Sequence, residues 1–236
     1  MTHRFFVEAE AIAEETAVLR GDQAHQIATV LRLRPGERVV LVRTGVETLI
    51  ALEAVDPREV RGHVVERRAA DAEPRAKLSL ALPILRGEHS EQVVAAVTQL
   101  GVNKIVPFVS ARSVVRDLAP AKRERWARIA RESAETARRG LVPEIEGTVE
   151  WEGLFDVLAP LVLVAWEQET TRRLADALPP SRVLSLVIGP EGGLTAAEID
   201  LARERGAITV SLGRRNLRSE TAAIAAVAQV MAAVER

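Results

Sequence analysis

Cysteine is absent from the 236-residue chain. That absence excludes disulfides, thiolate nucleophiles and cysteine-held zinc together. Histidine is scarce. The four present, His3, His25, His63 and His89, have no metal-ligand spacing, so no metal is expected. Apolar runs are short, and none approaches the roughly 20 residues of a helical membrane span. The opening Met1-Thr2-His3-Arg4-Phe5-Phe6 has no signal-peptide core, which points to the cytoplasm. An excess of either charge is missing too. Lys and Arg number 32 against 33 Asp and Glu, a net charge of −1, so bulk electrostatics announces no nucleic-acid partner.

What remains is a globular composition, 47% hydrophobic and 28% charged, with enough chain for one or two domains and a substantial core. Charge is uneven along it. Between Arg112 and Arg139 nine basic residues stand against four acidic ones. Phosphate contacts need only such a local patch. A solvated helix face accounts for the same residues.

Residues 1–72 have their own rhythm. The β-type runs Val39–Val42, Thr48–Leu52 and Val60–Val65 are separated by Pro35-Gly36, Thr44-Gly45 and Asp56-Pro57. Close spacing without intervening helices predicts a small antiparallel barrel. A helix from Asp22 to Leu33 interrupts it, with Ile27, Val30 and Leu31 on its apolar side. His25 and Arg32, seven apart, share a face of that helix and are candidates for RNA contact or for a plain surface pair. Polar residues 69–77 make a linker. From residue 73 onward strands (78–85, 104–109, 161–166, 183–188, 207–212) alternate with helices (90–100, 121–139, 195–205, 219–235). That alternation predicts an α/β domain with a covered parallel sheet. Thr195 and Glu198 form a capping box at the start of one helix.

Two loops carry the chemistry. The apolar run Val183–Ile188 ends in Gly189-Pro190-Glu191-Gly192-Gly193, and Leu212-Gly213-Arg214-Arg215-Asn216-Leu217-Arg218-Ser219-Glu220-Thr221 opens the last helix. Glycine turns at strand C-ends are where α/β proteins hold small ligands. The spacing is neither a dinucleotide fingerprint nor a P-loop, which favours a neutral or cationic adenosine-type ligand over a phosphate-bearing one. Ser219 reads as the N-cap of the last helix, with Glu220 complementing its dipole. Arg218 does not fit that reading, because a cation is unfavourable at a helix N-terminus; an anionic partner explains it better. On the basic helix, Trp126, Ala130, Ala134 and Ala137 form a buried stripe that leaves Arg125, Arg128, Arg131 and Arg139 around the rest.

These two loops, together with His25…Val30-Leu31-Arg32-Leu33…Pro35-Gly36-Glu37, Arg86-Gly87-Glu88…Leu100-Gly101-Val102 and Val142-Pro143-Glu144-Ile145, resemble the motifs of the ribosomal RNA small subunit methyltransferase E family, in order and over nearly the whole chain. Departures fall at Thr136-Ala137-Arg138, where the family usually has Gln-Ser/Cys-Gly, at Ala111 (an acid), at Arg214 (a proline) and at Asn216 (an aliphatic residue).

The resemblance implies a SPOUT-class enzyme. It would comprise a PUA-like RNA-binding barrel (1–72) and a methyltransferase domain with a trefoil knot (73–236), paired in a homodimer. The activity implied is transfer of a methyl group from S-adenosylmethionine to N3 of a 16S ribosomal RNA uridine. Cofactor contacts are expected from Val164, Ile188, Gly189, Pro190, Gly192, Leu212, Gly213, Leu217, Ser219, Thr221 and Ala222. Arg218 is the first candidate to orient or stabilise the uracil, and Arg139 the second. Glu191 is a candidate base, or equally a partner for an arginine or a brace for its loop. His25, Arg32, Arg112 and Arg138 are candidates for RNA contact. Residue chemistry alone does not separate transfer to a ring nitrogen from transfer to a ribose 2′-hydroxyl, nor an active enzyme from a non-catalytic RNA-binding factor.

Overall fold

The computed structural model describes residues 2–178 and 182–235. The chain divides into two compact units, one of Met1–Glu73 with Ala134–Leu141, the other of Pro74–Ser133 with Val142–Arg236.

In the first unit, β1 (His3–Phe6), β2 (Thr16–Arg20), β3 (Arg38–Arg43), β4 (Val46–Val55) and β5 (Glu59–Ala69) form a sheet of order β1-β3-β4-β5-β2. The β3–β4 hairpin turns on Thr44 and Gly45, both at positive φ, as a tight two-residue connection requires. The sheet is mixed rather than wholly antiparallel, because β1 runs parallel to β3. Neither β1 nor β2 has the long β-branched run that marks a strand in sequence. Each adds a short stretch to an edge, burying Phe5 and Leu19 against Val39, Leu41, Ile50 and Leu52.

The expected Asp22–Leu33 helix is also modified. It consists of α1 (Asp22–His25), continued by a π-helical turn over Gln26–Val30, and Arg32 sits at φ 55°. The wider π turn rotates later residues off the Ile27 face. Val30 is consequently 65% exposed instead of apolar-facing, and the seven-residue spacing no longer puts His25 and Arg32 on one face.

Residues 134–141 join this unit through side-chain and backbone acceptors. Phe6 N–H donates to Glu135 Oε1 (3.0 Å) and Gly45 N–H to the Gly140 carbonyl (3.1 Å).

The second unit is a parallel sheet of seven strands, β6 (Lys77–Pro83), β7 (Lys104–Val109), β8 (Glu144–Ile145), β9 (Val149–Glu150), β10 (Val162–Ala165), β11 (Val183–Ile188) and β12 (Ile208–Val210). Their order is β12-β10-β11-β6-β7-β8, with β9 also on β7. Around it lie α2 (His89–Gln99), α3 (Pro120–Thr136), α4 (Trp151–Val157), α5 (Leu174–Ala177), α6 (Ala196–Glu204) and α7 (Ser219–Val234). Side chains alternate between the faces of a strand, and both faces here are dry. Leu184, Leu186 and Ile188 of β11 join Leu78, Leu80 and Leu82 of β6 under Val93, Trp126 and Val227. Val187 and Ala81 face the other way, against Trp151, Leu154, Leu194 and Ile199.

The basic helix stops at Thr136, three residues early, and Arg138 follows at φ 59°. Its stripe is buried at Trp126, Ala130 and Ala134. Helices α4 and α5 and strands β8 and β9 escape prediction because each is too short to show a period.

Candidate active site

Three segments follow the C-terminal ends of three neighbouring strands: residues 165–167 at and after the end of β10, 188–193 at and after the end of β11, and 211–220 with 222 after β12. Together with Arg86 and His89 they enclose a cavity of about 730 Å³, inside the roughly 300–1,000 Å³ usual for small-molecule sites. Strand order explains the place. Strand β10 lies between β12 and β11, so two loops that are distant in sequence emerge side by side.

The turn after β11 is held closely. Gly193 N–H donates to the Pro190 carbonyl (2.8 Å), and Gly193 stands at φ 72°. A Cβ on Gly192 would lie 3.0 Å from Arg112 Cβ, and one on Gly189 3.2 Å from Leu194 Cγ. Thr195 caps α6 in the expected capping box, Glu198 Oε2 accepting from both Thr195 N–H and Oγ1–H. The other oxygen of Glu198 accepts from Ala111 N–H (2.7 Å), which ties the loop after β7 to the same corner.

Most of the expected residues meet here. Ile188, Gly189, Pro190, Gly192, Leu212, Gly213, Leu217, Ser219, Ala222, Glu191 and Arg218 all line the cavity. Glu191 is exposed and accepts from Arg86 N–H at 3.3 Å. The cap of α7 differs from expectation. Arg218 occupies the N-cap with extended backbone and no side-chain cap bond, and Ser219 is already the first helical residue, buried at the cavity wall.

Three expected residues lie outside the cavity lining. Val164 is fully buried in the core behind the strand, since alternation turns it away; its successors Ala165 and Trp166 reach the cavity. Thr221 is exposed and outside the lining, one position off the face that Ser219 and Ala222 present. Arg139, the second catalytic candidate, is 1% exposed and lies outside the lining. Its Nη2 and Nε donate to the Glu73 carboxylate at 2.8 and 3.2 Å, and Gly140 and Leu141 N–H groups bind the same Oε1. Burial and this carboxylate hold the guanidinium inside the first unit.

Of the RNA candidates, His25, Arg32 and Arg138 are exposed on the first unit. Arg112 donates to the Gly192 carbonyl at 3.0 Å. The basic 112–139 stretch is partly spent internally, since Arg123 binds the Ile145 carbonyl and Arg125 binds Glu88.

Motif reading missed Arg86, His89, Trp166, Glu167, Ser211 and Glu220 as cavity lining. Arg86 and Glu220 stand inside quoted motif segments without being singled out; the sequence signal of the others is position, just past a strand end or near Arg86. His89 Nδ1 is buried without a hydrogen bond among the described residues, 3.7 Å from Glu220 Oε1. Guanidinium groups of Arg86, Arg214, Arg215 and Arg218 likewise find no partner among the described residues, so the rim is cationic. Among those residues no His or carboxylate group is arranged to hold a metal.

A profile for the RNA methyltransferase domain matches residues 72–231. Ribosomal RNA small subunit methyltransferase E of Bacillus subtilis (strain 168) is 31% identical over 243 residues, covering 96% of this chain and 95% of that relative. The protein of the same name from Mycobacterium tuberculosis is 31% identical over 238 residues, covering 96% and 90%. Among solved structures, a ribosomal RNA small subunit methyltransferase E from Neisseria gonorrhoeae bound to S-adenosyl methionine superposes with a TM-score of 0.88 at 28% identity, covering 97% of this chain and 96% of that one. With its cavity built from the motif loops and relatives matched along nearly its whole length, the chain belongs to the ribosomal RNA small subunit methyltransferase E family.

Proposed function

We propose that this chain transfers the methyl group of S-adenosylmethionine to N3 of one uridine in 16S ribosomal RNA. The observation that carries the reading is the cavity itself: both glycine loops converge at the ends of the two parallel strands that flank β10, with Arg218 on the wall.

The residues present fit the cofactor. Bare backbone at Gly189, Gly192 and Gly213, with apolar Ile188, Leu212 and Leu217 beside it, suits an adenosine ring held by amides and carbonyls. Bound there, the cofactor supplies an electrophilic methyl group on a sulfonium. Catalysis is then chiefly positioning, plus stabilisation of the uracil anion left when the N3 proton departs. Arg218 is suited to that second task, as an exposed, unpaired guanidinium at the cavity wall. Glu191, hydrogen-bonded to Arg86 N–H, braces the loop and remains a candidate proton acceptor.

RNA would meet the cationic rim of Arg86, Arg214 and Arg215. We assign the first unit as the PUA-like RNA-binding module, its exposed His25, Arg32 and Arg138 contributing contacts. A trefoil knot in the second unit, a homodimer and a cytoplasmic location belong to the same proposal. They rest on the family resemblance carried by the order of the motifs.

The test is transfer of labelled methyl from S-adenosylmethionine to small ribosomal subunits from a strain lacking this gene, with the product nucleotide identified by mass spectrometry. One N3-methyluridine at a single 16S position is expected. A 2′-O-methyl product, or no transfer despite cofactor binding, would overturn the assignment.

A further inference from the structure

We propose that Glu167 contacts the cofactor directly, its carboxylate accepting hydrogen bonds from an O–H or N–H donor of bound S-adenosylmethionine. The donor is either the ribose hydroxyl pair or the α-ammonium group, which present the same chemistry to a carboxylate. The inference rests on the cavity being the S-adenosylmethionine site.

Glu167 follows the end of β10 and lines the cavity. Among the described residues it makes no ion pair and no hydrogen bond. The exposed carboxylate lies close against the glycine turn: a Cβ on Gly193 would stand 2.8 Å from Glu167 Oε1.

The backbone on either side of it is fixed. Trp166 N–H donates to the Val210 carbonyl (3.0 Å), and the Arg203 guanidinium stacks 5.3 Å above the indole. Two residues later Glu169 N–H donates to the Trp166 carbonyl (3.1 Å), while the Glu169 carboxylate gathers Thr171, Arg172 and Thr209. The turn therefore fixes where the Glu167 Cα stands beside the cavity, and only its side-chain rotamers remain to be ordered on binding.

Charge selects the cofactor over the RNA as its partner. A carboxylate repels phosphate but suits a hydroxyl pair or an ammonium, and hydrogen bonds to a charged acceptor are the stronger kind. The other two carboxylates of the cavity are already placed, Glu191 on Arg86 N–H and Glu220 beside His89.

Calorimetric titration of the purified chain with S-adenosylhomocysteine and with methylthioadenosine, which keeps the ribose but lacks the ammonium, tests this. Glu167→Ala should weaken S-adenosylhomocysteine binding about tenfold or more, and Glu167→Gln, which retains one neutral acceptor, by less. Equal losses for both ligands identify the ribose. A loss for S-adenosylhomocysteine alone identifies the ammonium. With no internal partner to lose, both variants should melt as the wild type does, so folding is not at stake. Affinities within twofold of wild type for both ligands would overturn the role of Glu167. Failure of the wild type to bind either ligand would instead overturn the cofactor reading on which it stands.

Discussion

Arg112 donates from its guanidinium to the carbonyl of Gly192 across 3.0 Å, fastening the loop after β7 to the glycine turn of the cavity. Contact is close as well as polar, since a Cβ on Gly192 would lie 3.3 Å from the Arg112 carbonyl oxygen. The neighbouring Ala111 N–H is held by Glu198. The arginine that sequence offers for RNA contact is thus seated against the glycine turn of the cavity.

Arg112→Ala should weaken S-adenosylhomocysteine binding several-fold, in line with the roughly 1 kcal/mol of one hydrogen bond. The salt dependence of RNA binding should not change. A phosphate contact would behave in the opposite way, flattening the log–log salt slope by about one unit and sparing cofactor affinity. Titrations at three salt concentrations separate the two outcomes.

Glu169 makes the fold sensitive to acid. Side-chain hydrogen bonds from Thr171 and then Thr209, with backbone N–H groups of Thr171 and Arg172, hold its pKa down to about 2 from 4.5. A depressed pKa means that the unfolded chain binds the proton more readily, so stability rises with pH through this window. The contribution of Glu169 is complete above pH 4.5 and fades as pH falls toward 2. Glu169→Gln should melt lower at neutral pH, and its deficit should shrink between pH 4.5 and 2. Parallel wild-type and variant melting curves throughout that range would refute the linkage.

Local patterns were legible in the sequence wherever a period or a cap was long enough to register. Strand β11, α6 with its Thr195–Glu198 box and α7 follow from apolar runs and punctuation. Convergence of the two glycine loops needs strand order as well, because only the pairing of β12 and β11 on opposite sides of β10 brings them to one cavity. Long-range polar pairs were beyond reach. The partner of Arg139 is Glu73, 66 residues away, and no spacing rule points to it. Strand ends also hid their last residues. Val164 and Trp166 are two apart, yet one is sealed in the core and the other lines the cavity.

Arg139 and Glu73 should prove structural. Removing one partner of a buried, hydrogen-bonded ion pair typically costs about 3–5 kcal/mol, and the side chain of Glu73 keeps 20% exposure, which favours the lower end. Glu73→Ala and Arg139→Ala are thus expected to lower the unfolding midpoint strongly in denaturant titrations. Protein that remains folded should bind S-adenosylhomocysteine as tightly as wild type. Unchanged stability with lost turnover would restore Arg139 to the chemistry.

In the proposed mechanism Arg218 stabilises the uracil anion. It stands at the N-cap of α7, where the helix dipole makes a cation unfavourable, and no partner among the described residues offsets that cost. Such a placement is sustained when an anion arrives, and the uracil left by loss of the N3 proton is an anion. A preorganised donor aimed at developing charge is worth about 10²–10³ in turnover. Arg218→Ala should therefore fold normally, bind S-adenosylhomocysteine within a few-fold of wild type and lose roughly that factor in single-turnover methylation of small subunits. Arg218→Lys keeps the charge but not the planar fork, so it should recover only part of the rate. If Arg218→Ala methylates at near-normal rate, the anion is stabilised elsewhere, and the unpaired Arg86, Arg214 and Arg215 of the same rim become the groups to substitute.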